Sequence, residues 1–430
     1  MTTTPPSDSP PLLLVADHVA GAVHLLTLPR GELLTSLTGR HASEHAGFLA
    51  LPGDRVAFVD DRAGELVVLA PFEAVRGGNP VAATVPVAVP AEHLAAAPDG
   101  RHLVVTTGLG RNEEPWSDLL TAVDLAAPGG PYAVRVRTRP GEPGAAVPAG
   151  TPGTSGDGGP LAVVRHREPG SLAVHRHADL LAAGPGCPPA GPPLAELPLP
   201  DDGHGDAHDP ATGRLFTATG AGVHRTRCSD GGPTVEPPLP WEADGRSGGR
   251  GYFLRIDVRR RLLWSCLRGG PSAPTAWPAW TNDAWWHHLD TGRTGRVELG
   301  EGLVFRMAVA EEHVAYARCH PDGDELVVLA AAPSGAGRPT VAARVPLPPM
   351  DGAPRPGASP WDGVQRRALA ASPGAPWVAV SRGGHGEIHL IDAASGVERA
   401  RPTLPTPLDE GGRLALLVPG DGAHLDPAGR

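Results

Sequence analysis

The chain has 430 residues and a net charge of −10, and all 37 of its cations are arginine. Without lysine, Schiff-base chemistry and a lysine general base are excluded. An acidic chain with no basic cluster also lacks the positive footprint that nucleic-acid binders need.

Residues 1–11, MTTTPPSDSPP, read as a disordered tail. They carry neither a basic n-region nor an apolar h-region, and no run of eighteen apolar residues occurs anywhere, so neither a secretory signal nor a membrane span is expected. The cytoplasm is therefore the expected location. Cys187, Cys228, Cys266 and Cys319 show no CxxC spacing and read as free core thiols rather than a disulfide frame.

Residues 12–38 supply three short apolar strands, LLLVADH, AVHLLTL and LLTSLTG. A phrase of strand, tight Gly/Pro/Asp turn and second strand then recurs roughly every fifty residues. It reads FLALPGDRVAFV at 48–59, LAAAPDGRHLVVT at 94–106 and AHDPATGRLFTAT at 207–219. It returns as LRIDVRRRLLWSC at 254–266 and ALAASPGAPWVAV at 368–380. The 57 glycines and 51 prolines fall largely between these strands, where turns require them. Third strands end in an Asp and a turn, as in HHLDTG at 287–292 and HLIDAASG at 389–396, and short Val/Leu runs follow as fourth strands.

Self-similarity at this period without a helical pattern predicts an all-β chain, a single β-propeller of four-stranded blades spanning 12–430. The C-terminal strand RLALLV at 413–418 complements the three N-terminal strands, making one composite blade that closes the ring and removes its open edge. Seven further blades are expected near 45–90, 91–139, 143–200, 202–240, 248–300, 302–348 and 363–405. Eight is thus the expected number. Seven is the alternative, because the 143–200 blade has the weakest inner strand and its GTPGTSGDGGP segment reads equally as a loop. The pattern resembles the broad superfamily of bacterial propellers that includes YVTN-type repeats, WD40-like proteins and the heavy subunits of quinoprotein amine dehydrogenases. That resemblance implies the fold and carries no catalytic residue across.

In such a ring the innermost strands line an axial channel, and ligand sites lie at its mouth. Counting back from the turn at period two places His45, His93, His204, Asp206, His208, Arg255 and Arg366 on one face. Arg306 falls on the other parity but can still turn inward from the incoming loop. Half the ring then offers His and Asp, the other half Arg. His45, His93 and His208 are the candidate ligands for a divalent transition metal (Zn, Cu, Fe or Mn), with an open coordination position. His208, Asp206 and His93 are the candidate catalytic acid/base residues. Arg255, Arg306 and Arg366 would clamp a substrate anion. The competing reading is ordinary rim polarity, and a one-residue slip would move half the set into the blade body.

HASEH at 41–45 and HGDAH at 204–208 place His at i and i+4, but neither has the Glu that a zincin helix needs. On a strand such a pair is about 13 Å apart, at ~3.3 Å per residue, too far to share an ion. HGDAH resembles the His-rich loops of zinc-carrying bacterial propellers, which are exported proteins. In WPAWTNDAWWHH at 277–288, Trp285 and Trp286 read as blade core, and Trp277 and Trp280 as a lid or platform for a flat or apolar ligand. A second insertion at 108–118 carries Glu113, Glu114 and Trp116 and reads as a rim loop. No GxSxG elbow, P-loop or dinucleotide fingerprint sits in the right setting, so no nucleotide cofactor is expected.

Two classes of function follow. One is a small-molecule enzyme at the channel mouth, with lyase, cyclase, hydrolase and oxidase chemistry all open, a role suited to specialised metabolism. The other is a non-catalytic propeller, either a metal- or ligand-binding protein or a protein-interaction scaffold. The expected partner is a small anionic or polar organic ligand, with no membrane or nucleic acid, and the expected state a monomer or weak homo-oligomer.

Overall fold

The repeated turn folds as its residues dictate. In FLALPGDRVAFV, Leu51 pairs with Arg55 across a turn whose Gly53 and Asp54 both take left-handed backbone (φ 75° and 57°). Gly and Asp are the residues that adopt it at least cost. Gly100, Gly213 and Arg261 hold the left-handed position in three other blades.

The computed structural model describes residues 9–109, 117–149, 159–228, 232–331, 337–361 and 363–421. Residues 1–8 of the N-terminal tail, the rim residues Glu113, Glu114 and Trp116, and most of GTPGTSGDGGP lie outside the described residues.

The strands form eight antiparallel four-stranded sheets, and the ring is an eight-bladed β-propeller. Blade 1 is the composite: Leu12–Asp17, Ala22–Thr27 and Glu32–Thr38 are joined by Arg413–Leu417, which pairs with Leu12–Asp17 in the register Leu13↔Leu416 and Leu14↔Ala415. The innermost strands of blades 2 to 8 are Phe48–Leu51, Ala91–Ala96, Gly144–Ala146, Asp206–Asp209, Arg250–Asp257, Leu303–Val309 and Leu369–Ala371. The weak fourth blade is a full sheet whose inner strand is only 3 residues long, paired as Ala145↔Val164.

Second strands are buried on both faces, as Arg55–Asp60 and Leu262–Gly269 show, whereas outer strands such as Glu32–Thr38 are half exposed. Loose alternation in the sequence follows from this double burial. The core is not central. It is divided among the blade interfaces, so that Leu14, Val23, Phe58 and Val67 join blades 1 and 2, and Leu13, Leu26, Leu390 and Leu404 join blades 8 and 1. Trp285 packs between blades 5 and 6, and Trp286 between blades 6 and 7. All four cysteines are free, and burial pushes the thiols of Cys228, Cys266 and Cys319 up to about 12. No helix among the described residues is long and apolar enough to cross a membrane.

Candidate functional site at the channel mouth

Three innermost strands carry a bulge near their start. Ala91 and His93 oppose the consecutive residues Thr107 and Thr106; Val304 and Arg306 oppose Arg318 and Ala317; and the third shift lies between Gly251 and Leu254. An extra residue re-aims its neighbours and breaks the alternation of faces. The residues at the bulges, Glu92, Phe305, Tyr252 and Phe253, all line the channel. Arg306 also lines it, although period-two counting assigns it to the opposite face.

The cavity so formed has a volume of about 680 Å³. At its mouth, six arginines line the wall against three glutamates. Arg255, Arg268, Arg306, Arg366 and Arg413 come from the contiguous arc of blades 6, 7, 8 and 1. Glu44, His45, Glu92, Glu142 and His204 come from the incoming loops and strand starts of blades 2 to 5, with Arg167 among them. Deeper in, the wall turns apolar through Ile256, Ala308, Ala370, Leu416 and Leu417. On the other side, the inner strands of blades 3 to 5 carry Ala95, Ala96, Ala145, Ala146 and Ala207 and enclose only about 10 Å³. The channel is therefore open beside blades 6, 7, 8, 1 and 2.

The far end is strapped by the chain that leaves the closing strand. The Gly420 amide donates to Asp54 on the blade 2 turn (2.9 Å). The buried Asp421 carboxylate accepts from the Gly374 amide (2.8 Å), the Ser372 hydroxyl and the Arg259 guanidinium, tying blades 8 and 6 together.

The sequence-derived candidates are distributed as follows. Arg255, Arg306 and Arg366 all line the mouth. Arg366 pairs with Glu410 (3.2 Å), and both Arg306 and Arg366 lie over the Phe305 ring, at 4.3 and 5.0 Å from its centroid. His45 lines the mouth and its Nδ1 meets the buried Glu92 carboxylate at 2.9 Å. His93 is half-buried on its inner strand and is not among the lining residues. Asp206 is locked to Arg165 (2.8 Å) and accepts the Thr217 hydroxyl (2.7 Å). His208 is buried beside the small alanine-walled void, and burial lowers its pKa to about 4. The structure thus brings His45 and the three arginines to one cavity and holds His93, Asp206 and His208 outside it. Among the described residues, no group of three or more His, Cys, Asp or Glu stands close enough to hold a metal ion. His45, His93 and His208 do not form such a cluster.

Trp277 and Trp280 are buried, with indole N–H groups that donate to the Arg355 and Pro271 carbonyls (3.2 and 2.8 Å). They form a small core with Leu303, Cys319 and Met350 behind the mouth, and the ring that faces the cavity is Trp361, stacked on Trp280 at 5.7 Å. Sequence reasoning missed Trp361 and Arg268. Trp361 follows a Pro/Gly-rich insertion, the same signal that drew attention to Trp277. Arg268 ends a second strand, and counting along innermost strands could not reach it.

The arrangement is shared with known structures at the level of the chain trace. Apo AztD from Citrobacter koseri superposes with a TM-score of 0.63 at 12% identity, covering 95% of this chain and 98% of that one. Dihydro-heme d1 dehydrogenase NirN in complex with DHE gives a TM-score of 0.58 at 16% identity, over 96% of this chain and 76% of that one. The likeness is one of fold. No protein-family model matches the chain, and no curated protein matches it in sequence. The β-propeller fold is thereby supported, and no particular family is picked out.

Proposed function

We propose that the protein binds a small organic anion at the charged mouth of its axial channel and moves a proton on it with His45 and Glu92. The observation that carries this reading is the arginine arc: five guanidiniums from four successive blades converge on one cavity of about 680 Å³. That volume is in the range of small-molecule sites. Guanidinium forks favour carboxylate or phosphate oxygens, which they bind in bidentate fashion.

The His45–Glu92 contact supports the chemical half. A carboxylate accepting from Nδ1–H fixes the tautomer and makes Nε2 the basic nitrogen. The buried Glu92 also stabilises the imidazolium that forms when the proton is taken. NirN, a propeller of related trace, is a dehydrogenase solved with DHE, which supports small-molecule chemistry as a use of this architecture.

Calorimetric titration with carboxylates and their neutral amides tests the binding half. Carboxylates are expected to bind at least ~10-fold tighter than the amides, with part of that margin lost in Arg306→Ala, as charged hydrogen bonds worth roughly 1.5–3 kcal/mol imply. Equal affinity for acid and amide would overturn it. Exchange of ligand C–H into deuterated water, followed by NMR, tests the other half. His45→Gln should stop exchange while binding persists, and exchange unaffected by that variant would remove His45 from the chemistry.

A further inference from the structure

Arg268 is held unlike the mouth arginines beside it. Arg167 pairs with Glu142 (3.1 Å) and Arg366 with Glu410 (3.2 Å). Arg268 has no carboxylate within ion-pair distance among the described residues. Its guanidinium instead lies 4.5 Å from the Trp280 ring centroid, 4.8 Å from Tyr252 and 5.0 Å from Trp361. Its Nε is buried and has no hydrogen-bond partner among the described residues. Burial lowers its pKa, the direction expected of a cation removed from water without a counter-ion.

Aromatic faces return only part of the cost of taking such a cation out of water. The deficit is what an anion delivered from the cavity would remove, and Arg268 lines that cavity together with Tyr252 and Trp361.

The second observation is the gradient along the channel. Below the arginines the wall is Ile256, Ala308, Ala370 and Leu416, each nearly closed to solvent, and the 418–421 strap crosses beneath them. A polyanion would leave this floor unfilled. An apolar body fits it, because apolar surface is removed from water on both sides of the contact.

Building on the proposed anion site, we infer that its ligand is an amphipathic monocarboxylate, with the carboxylate on Arg268 and an apolar body that passes Trp361 and descends to the floor. Arg268 is then the residue that separates an acid from the corresponding alcohol, and Ala370 sets the length of body accepted.

The test is calorimetric titration of the full chain with three kinds of probe. These are 4-phenylbutyrate and octanoate, the neutral 4-phenylbutanol, and the body-less polyanions succinate and citrate. The monocarboxylates should bind at least ~10-fold tighter than the alcohol and than either polyanion. Arg268→Gln should bring phenylbutyrate down to the affinity of the alcohol, and Arg268→Lys should restore part of the difference. Ala370→Phe should reject octanoate and still accept acetate. The comparison of acid, alcohol and polyanion in the unsubstituted protein stands even if a variant fails to fold. If citrate or succinate bind while phenylbutyrate and octanoate bind no better, the amphipathic ligand is wrong and the anion site remains. Equal affinity for acid and alcohol, or for the protein with and without Arg268→Gln, would remove Arg268 as the anchor. If no anion binds, the anion site fails and the inference falls with it.

Discussion

His208 is enclosed on the inner strand of blade 5 with both ring nitrogens buried and without hydrogen-bond partners among the described residues. Burial holds its pKa at about 4, against 6.5 for an exposed imidazole, and the neighbouring Asp209 offsets this only in part. The unfolded chain therefore binds a proton at His208 between about pH 6.5 and 4 that the folded chain does not, so stability falls as pH drops through that window. The gap corresponds to about 3 kcal/mol, fully lost below about pH 4. His287, held at about 4, and His166, held at about 3, act in the same direction through burial. Urea midpoints measured near pH 7, 5.5 and 4.5 should decline steadily in the natural protein. His208→Leu should lessen the decline by up to that amount, and an unchanged slope would show that His208 is hydrated in the folded state. The sequence placed His208 correctly on an innermost strand. It did not show that alanines on the facing strands close over it, because burial depends on which neighbours three blades bring together.

At the scale of the element, what was legible followed from local chemistry. Most of the repeated turns carry the Gly or Asp their backbone needs, Arg261 taking that position in blade 6, so blade phase could be read from the turns. The unmatched strands at the two ends could pair only with each other. What was not legible is the bulge. One extra residue near the start of the inner strand, at Glu92, in 252–253 and at Phe305, leaves no signature in composition, yet Glu92, Tyr252, Phe253 and Phe305 all line the channel. Arg413–Leu417 is the element on which closure depends: Leu416 and Leu417 are buried, and residues of this size typically lose 2–5 kcal/mol of stability on truncation to Ala. Ending the chain after Gly412 exposes the inner edge of Leu12–Asp17 and removes the strap at Asp421 together with the closing strand. Size-exclusion chromatography should then show self-association through the free edge, and thermal unfolding should lose its single cooperative step. A monomeric truncated protein with an unchanged midpoint would mean that the ring does not depend on this strand.

For the molecule as a whole, the charge of the chain and the charge of its mouth have opposite signs. The protein carries −10, yet six arginines face three glutamates around the cavity. An approaching anion is thus repelled by the body and attracted by the rim, and the distance over which each is felt depends on salt. At ~0.01 M ionic strength the screening length is about 30 Å, long enough for the whole acidic surface to act. Near 0.15 M it is about 8 Å, so an anion close to the rim responds mainly to the arginines. At 1 M it is about 3 Å and the rim itself is screened. The association rate of a monocarboxylate, followed by the fluorescence change of Trp361 in stopped flow, should therefore rise from low to physiological salt and fall again at high salt. A neutral alcohol of the same shape should show no such maximum. A rate that only rises with salt would mean that the arginines are neutralised by their protein partners and exert no net pull. A rate that only falls would mean that the rim governs the approach at every distance, with the acidic surface turned away from it.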